Sequence, residues 1–263
     1  VRDLTVTLVQ ADLAWQDPAT NRQRLGALLD AASPLGDLVI LPEMFATGFS
    51  MRPPGHAEPM DGPTVAWLRD QAARRGITLC GSLAVVVDGR YYNRLLWATP
   101  AGGLDWYDKR HLFRMAGEHR HYTAGTTRAI FALGEWRVCP LICYDLRFPV
   151  WSRGANQFDL LVYVANWPVG RRPAWRALLP ARAVENQCFV AGVNRVGTDG
   201  HGVAYAGDSG VHHPLGHPLV ELGPGAQVAT VTLQGGELAR YREEFPAWQD
   251  ADRFTLGPAA GDR

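Results

Sequence analysis

The sequence predicts an α/β domain of stacked layers built on mixed sheets. Short apolar runs of strand character alternate with amphipathic segments that open on helix-start residues, and one pair of hairpins interrupts the alternation. No composition break, fixed-period repeat or low-complexity linker divides the 263 residues, so one domain over residues 1–263 is expected. At 47% hydrophobic, the chain can bury a sizeable core.

The elements follow in order. "TVTLVQADL" alternates and then runs apolar as a strand does. "DPATNRQRLGALLDAAS" reads as a helix with Asp17 as N-cap, Pro18 in the first position and Leu25, Leu28 and Leu29 on one face. "DLVILPE" is a continuous apolar run suited to a strand covered on both faces. After a loop rich in Gly, Pro and Met, "GPTVAWLRDQAARRG" predicts a helix that starts at its proline and stops at Gly76. "ITLCGSLAVVVDGRYYNRLLWATPAGGLDWYDK" reads as three strands joined by an Asp-Gly and a Gly-Gly turn. Further strands are expected in "RAIFAL", "EWRVCPLI", "DLLVYVAN", "CFVAGVNRV" and "QVATVTL", with helices in "RRPAWRALLPARAVENQ" and "ELARYREEF".

Composition narrows the function. Lys plus Arg and Asp plus Glu both number 26, so no bulk field draws nucleic acid or anionic lipid, and neither partner is expected. "VRDLTVTLVQ" carries early charges and no h-region, and no apolar run reaches about 18 residues, so a soluble, untargeted, cytoplasmic protein is expected. The four cysteines, at 80, 139, 143 and 188, include no C-x-x-C pair. On one strand Cys139 and Cys143 would stand about 13 Å apart, beyond the ~7 Å a disulfide spans. Other pairings stay open, with free thiols in a reducing compartment the expectation.

Three apolar runs end on an ionisable residue: Glu43 after "LVILP", Lys109 after "LDWYD" and Cys143 after "VCPLI". Ligands in layered α/β folds sit beyond the carboxyl ends of strands, where residues distant in sequence converge. A thiol, a carboxylate and an ammonium in one pocket supply a nucleophile, a base for its proton and a cation for the thiolate and a developing oxyanion. Each residue alone has a plainer reading: Cys143 as a small buried hydrophobe, Glu43 as a solvated strand end, Lys109 as part of the exposed charged run "DKRH". The abrupt change to "YDLRF" after Cys143 favours chemistry there, since a structural cysteine needs no sharp turn after it.

"LPEMF", "DKRHLF" and "ICYDLRFP", in that order, resemble the three signature blocks of the nitrilase, or carbon-nitrogen hydrolase, superfamily. "GEHRHYTAG", "ARAVENQCFV" and "NRVGTDGHGVAYAGDSGVHHPLG" extend the resemblance over nearly the whole chain, and the sequence looks most like the ω-amidase branch, similar to the enzyme that hydrolyses α-ketoglutaramate. The resemblance implies a four-layer α-β-β-α sandwich with two mixed central sheets, and a Glu43, Lys109 and Cys143 triad. It also implies a Tyr144 backbone N–H that joins Lys109 at the oxyanion, Glu118 as an accessory carboxylate, and no metal or organic cofactor. A homodimer is implied as well, with "FPVWSRGA" (Phe148, Trp151) and the C-terminal segment (Tyr241, Phe245, Trp248) as the expected contacts.

The substrate implied is a short amide bearing a free carboxylate. Arg147, four residues past the thiol, is the candidate fork for that carboxylate, and Phe45, Phe49, Met51 and Trp167 are candidates for an apolar wall. The alternative for Arg147 is a structural salt bridge. His111, His119 and His121 also admit a Cys-His dyad or a metal site, either of which leaves the Glu and Lys blocks unexplained. Nitrilase and N-carbamoyl amidohydrolase chemistry would use the same triad, and a catalytically silent small-molecule-binding protein is the rival of a different class.

Overall fold

The computed structural model describes residues 1–257. Among these, fourteen strands form: β1 (Leu4–Gln10), β2 (Leu38–Ile40), β3 (Thr78–Val87), β4 (Arg90–Ala98), β5 (Leu104–Asp108), β6 (Phe131–Leu133), β7 (Trp136–Ile142), β8 (Leu160–Ala165), β9 (Phe189–Asn194), β10 (Val196–Thr198), β11 (Ala204–Ala206), β12 (Gly210–His212), β13 (Pro218–Glu221) and β14 (Gln227–Leu233). The helices are α1 (Pro18–Ala31), α2 (Pro53–His56), α3 (Pro63–Arg75), α4 (Pro149–Ser152), α5 (Arg172–Asn186) and α6 (Gly235–Glu244). One six-stranded sheet has the order β14-β1-β2-β3-β4-β5, the other β13-β12-β9-β8-β7-β6, and β10 with β11 forms a small separate hairpin.

Strand alternation sorts the layers. On β1 and β2, Leu4, Val6, Leu8, Leu38 and Ile40 join a core shared with the second sheet, while Val9 and Val39 face the opposite way, onto Leu25 and Leu29 of α1 and Leu68 and Ala72 of α3. The second sheet's outer face takes Trp175, Leu179 and Ala183 of α5 and Leu238 of α6. Helix, sheet, sheet and helix therefore stack as the expected α-β-β-α sandwich. Local chemistry starts and stops the elements. Asp17 Oδ1 accepts the Thr20 N–H at 3.0 Å to cap α1. Asp88 (φ 49°) and Gly89 (φ 74°) turn β3 into β4 through two left-handed residues.

Direction determines where the site lies. β1, β2 and β3 are mutually parallel, and β5, two antiparallel steps beyond β3, runs the same way; β7, β8 and β9 are parallel in the other sheet. Glu43, Lys109, Cys143 and Asn166 all follow the carboxyl ends of such strands. The strands β10 to β13 were not expected, because three- and four-residue strands in a Gly- and His-rich stretch are too short to show a period of two. Trp151 corrects an expectation too: it is 3% exposed and its Nε1–H donates to Tyr107 Oη at 2.9 Å, so it serves the chain's own core rather than an exposed contact face. Phe245, by contrast, is 58% exposed.

Asp159 ties the C-terminal helix to the second sheet. It accepts from Arg242 Nη1 at 2.6 Å and from Arg137 Nη2 at 2.7 Å. Burial acts to raise its carboxyl pKa, but the hydrogen bonds from Arg137 and Arg242 outweigh burial and hold it below the usual carboxylate range. A carboxyl lowered in the folded state supplies stability that is present above its unfolded pKa, about 3.9, and is lost as pH falls through the folded value. Asp159→Ala strands the buried Arg242 guanidinium and is expected to lower stability by about 3 kcal/mol at neutral pH. Urea melts should show the deficit shrinking once the pH drops below about 4.

Candidate active site

The two carboxylates and the ammonium expected from the sequence meet in a fully buried cluster. Glu43, Lys109 and Glu118 are each 0% exposed. Lys109 Nζ donates to Glu43 Oε1 at 2.8 Å and lies 3.1 and 3.0 Å from the two Glu118 oxygens. Asn93, on β4, donates through one Nδ2 to both carboxylates, at 2.8 Å to Glu43 and 3.1 Å to Glu118. Its Oδ1 is engaged by Ser82 Oγ at 2.8 Å, which in turn accepts the Met44 N–H, so the amide cannot flip without losing contacts on both sides. Asn166 completes the shell. Its backbone N–H donates to Glu43 Oε2 at 2.8 Å and its Nδ2 to the Glu43 carbonyl at 2.6 Å. Burial lowers the Lys109 pKa, but Glu118 and Glu43 more than reverse this and hold it above the ordinary lysine range, so it stays charged. Burial is the main cause that raises the Glu118 carboxyl, with Lys109 pulling it back and Glu43 adding to the rise.

Loop geometry delivers the lysine. The Gly125 N–H donates to the Lys109 carbonyl at 2.8 Å, and a Cβ at Gly125 would stand 2.1 Å from the Asp108 carbonyl oxygen. Only glycine lets the loop lie that close to the strand end.

Cys143 opens a 3₁₀ turn directly after β7 and takes φ +44°, a left-handed conformation uncommon outside glycine. Its Sγ is 3.9 Å from the Asn166 carbonyl oxygen. Burial first and the Glu43 carboxylate second push the thiol well above its usual range, while Lys109 pulls it down. The ammonium favours the thiolate but is outweighed by burial and Glu43, so the group rests as a thiol.

Asp145 fastens the turn. Its Oδ2 accepts the Ile142 N–H at 3.0 Å and the Tyr107 hydroxyl at 2.8 Å, and its Oδ1 meets the His111 N–H at 3.0 Å and His111 Nδ1 at 2.7 Å. One carboxylate thus locks the Cys143 turn to the loop that follows Lys109. His111 is engaged with Asp145 and stacked on Phe148, His119 is half-buried and His121 is exposed. No group of three or more His, Cys, Asp or Glu side chains among the described residues is placed to hold a metal ion.

Cys143 and Lys109 open onto a cavity of about 220 Å³ walled by Phe49, Met51, Tyr144, Arg147 and Trp167. Phe45 is not on that wall. It is fully buried, packs against Trp67 and lies against Gly81, because the left-handed Met44 (φ 43°) turns the chain back and the Phe45 N–H bonds the Ser82 carbonyl. Arg147 is exposed, has no ion pair among the described residues, and holds its guanidinium 5.0 Å from the Trp167 ring centre.

A model of carbon-nitrogen hydrolases matches residues 5–243. The chain belongs to the carbon-nitrogen hydrolase family. The omega-amidase YafV of Escherichia coli strain K12 is 46% identical over 255 residues, covering 96% of this chain and 98% of its own. The 2-oxoglutaramate amidase of Bacillus subtilis strain 168 is 33% identical over 254 residues, covering 94% and 96%. XC1258 of Xanthomonas campestris, a CN-hydrolase superfamily protein solved with an arsenic adduct in its active site, has a TM-score of 0.95 at 51% identity, over 98% of this chain and 100% of that one.

Several residues of this carbon-nitrogen hydrolase's site escaped sequence reasoning. Asn93 reads as an ordinary polar strand position in "YYNRLL", and Asn166 as a turn residue after "LVYVA". The available signal was position: each polar amide sits within or at the end of a run otherwise built to be buried.

Proposed function

We propose that this carbon-nitrogen hydrolase is an ω-amidase, cleaving the terminal amide of a short carboxylate-bearing substrate such as 2-oxoglutaramate (α-ketoglutaramate) to acid and ammonia. The observation that carries the reading is Arg147, a guanidinium with no acidic partner among the described residues, on the wall of the cavity that also holds Cys143. The cavity is smaller than the ~300–1,000 Å³ usual for ligand sites, which suits a substrate of a few carbons. The omega-amidase and 2-oxoglutaramate amidase relatives support the same class.

In this mechanism Glu43 takes the Cys143 proton as the sulfur attacks the amide carbon, and the oxyanion is met by the Lys109 charge and the Tyr144 N–H. The tetrahedral adduct collapses by breaking the C–N bond, and Glu43 returns the proton to the departing nitrogen, which leaves as ammonia. A water deprotonated by Glu43 then attacks the thioester, releasing the acid and restoring the thiol. Glu118 keeps Lys109 charged and, with Asn93, holds the Glu43 side of the cluster in place.

Arg147→Ala tests the carboxylate assignment. It should lower kcat/KM for 2-oxoglutaramate on the order of 30- to 300-fold, in the lower part of the range for a charge-assisted fork because the guanidinium is solvated before binding. A neutral amide of similar length should scarcely change, and Arg147→Lys should recover only part of the loss. An equal fall for charged and neutral amides would mean that Arg147 supports the nucleophile turn instead.

A further inference from the structure

We infer that Arg171 is a second recognition point in the cavity, and that it selects amides of 2-oxo acids over amides that carry hydrogen or an ammonium at that carbon; this rests on the ω-amidase reading above. Three arginines lie close together at the start of α5. Arg172 and Arg176 both clamp Asp208, with Arg172 Nε at 2.5 Å from Oδ2 and Arg176 Nη2 at 2.8 Å from Oδ1. Arg171 does not share that anion. It has no ion pair among the described residues, stands 4.8 Å from the Phe113 ring centre and lines the same cavity as Cys143.

One indole touches both arginines, the side chain of Arg147 and the backbone of Arg171. The Trp167 ring lies under Arg147, and its Nε1–H donates to the Arg171 carbonyl at 2.7 Å. The Arg171 N–H closes a turn onto the Pro168 carbonyl at 3.0 Å, so the backbone that carries Arg171 is held to the residue beside that indole. A guanidinium offers five donors, accepts nothing and keeps its charge at any working pH. A single carboxylate occupies one fork. A 2-oxo acid adds a third acceptor oxygen beside the carboxylate, which gives the second guanidinium a partner. A methylene there leaves Arg171 without one, and an ammonium, as in glutamine, meets like charge.

The test is kcat/KM for three substrates of equal length, 2-oxoglutaramate, glutaramate and glutamine, in the unsubstituted protein and in Arg171→Leu. Arg171→Leu should reduce the 2-oxoglutaramate to glutaramate preference roughly 10- to 100-fold and narrow the discrimination against glutamine. Arg171 also touches Phe113, whose N–H donates to Glu118 Oε2 at 2.6 Å, so a purely structural role would lower all three substrates together and leave the ratios unmoved. That outcome overturns the inference. Calorimetry of 2-oxoglutaramate and glutaramate with Cys143→Ala reads the same preference without turnover. Equal affinity for both there, or a preference that survives Arg171→Leu, also overturns it. Failure of the ω-amidase reading looks different, because Arg147→Ala would then change both acids and a neutral amide of similar length by the same factor.

Discussion

Cys143→Ala is expected to lower amide hydrolysis by on the order of 10⁵- to 10⁶-fold, the scale seen when a nucleophile is removed from a group that acts as a unit. The same residue should be the only one to carry an acyl group when the protein is quenched during turnover and its peptides are weighed. Competing thiols are poorly placed. Cys80, Cys139 and Cys188 are 0% exposed, and burial raises each of them, Cys139 to about 12. Alanine should accept the left-handed backbone at position 143 about as well as cysteine does, since both carry a Cβ and neither is β-branched. The variant should therefore melt close to the parent, and a large loss of activity with an unchanged melt isolates chemistry from folding. Full activity in Cys143→Ala, or acylation at Cys139, would remove the thioester route.

How far the sequence revealed this site depended on whether a residue's neighbours along the chain advertise it. Glu43, Lys109 and Cys143 each end an apolar run, so the change from buried strand to ionisable group is visible in one dimension. Their meeting is a product of strand direction, which the hairpin turns at Asp88 and Gly102 set for β5 and which no local pattern states for β7. Phe45 and Phe49 look alike in "LPEMFATGF", and only the left-handed turn at Met44 separates a core side chain from a cavity wall. Asn93 matters through register, where it faces Ala84 across the hairpin and reaches both carboxylates, a relation between strands rather than within one. The arginines of "GRRPAW" are indistinguishable in sequence; Asp208, more than thirty residues away, decides which of them is paired.

Glu43→Gln should separate the two duties of that carboxylate. In the proposed mechanism Glu43 is the base that takes the thiol proton and returns it to nitrogen; it is expected to contribute about 10³- to 10⁴-fold to amide hydrolysis, and its amide replacement should lose that factor while keeping side-chain volume. The same carboxylate is also one of the causes that raise the Cys143 thiol, after burial. Removing its negative charge leaves Lys109 beside the sulfur with one fewer competitor, so the thiol pKa should fall and the thiolate fraction at a given pH should rise. Alkylation by iodoacetamide consumes thiolate and needs no proton delivered to a leaving amine. Its pH profile in Glu43→Gln should therefore shift to lower pH, so that the variant labels faster than the parent at neutral pH although it hydrolyses far more slowly. Glu118→Gln also removes a nearby negative charge, but it leaves the base in place and should cost hydrolysis much less. If alkylation and hydrolysis instead fall together in Glu43→Gln, the carboxylate acts mainly by holding Lys109 and Asn166 in position, and the proton must leave Cys143 by another route.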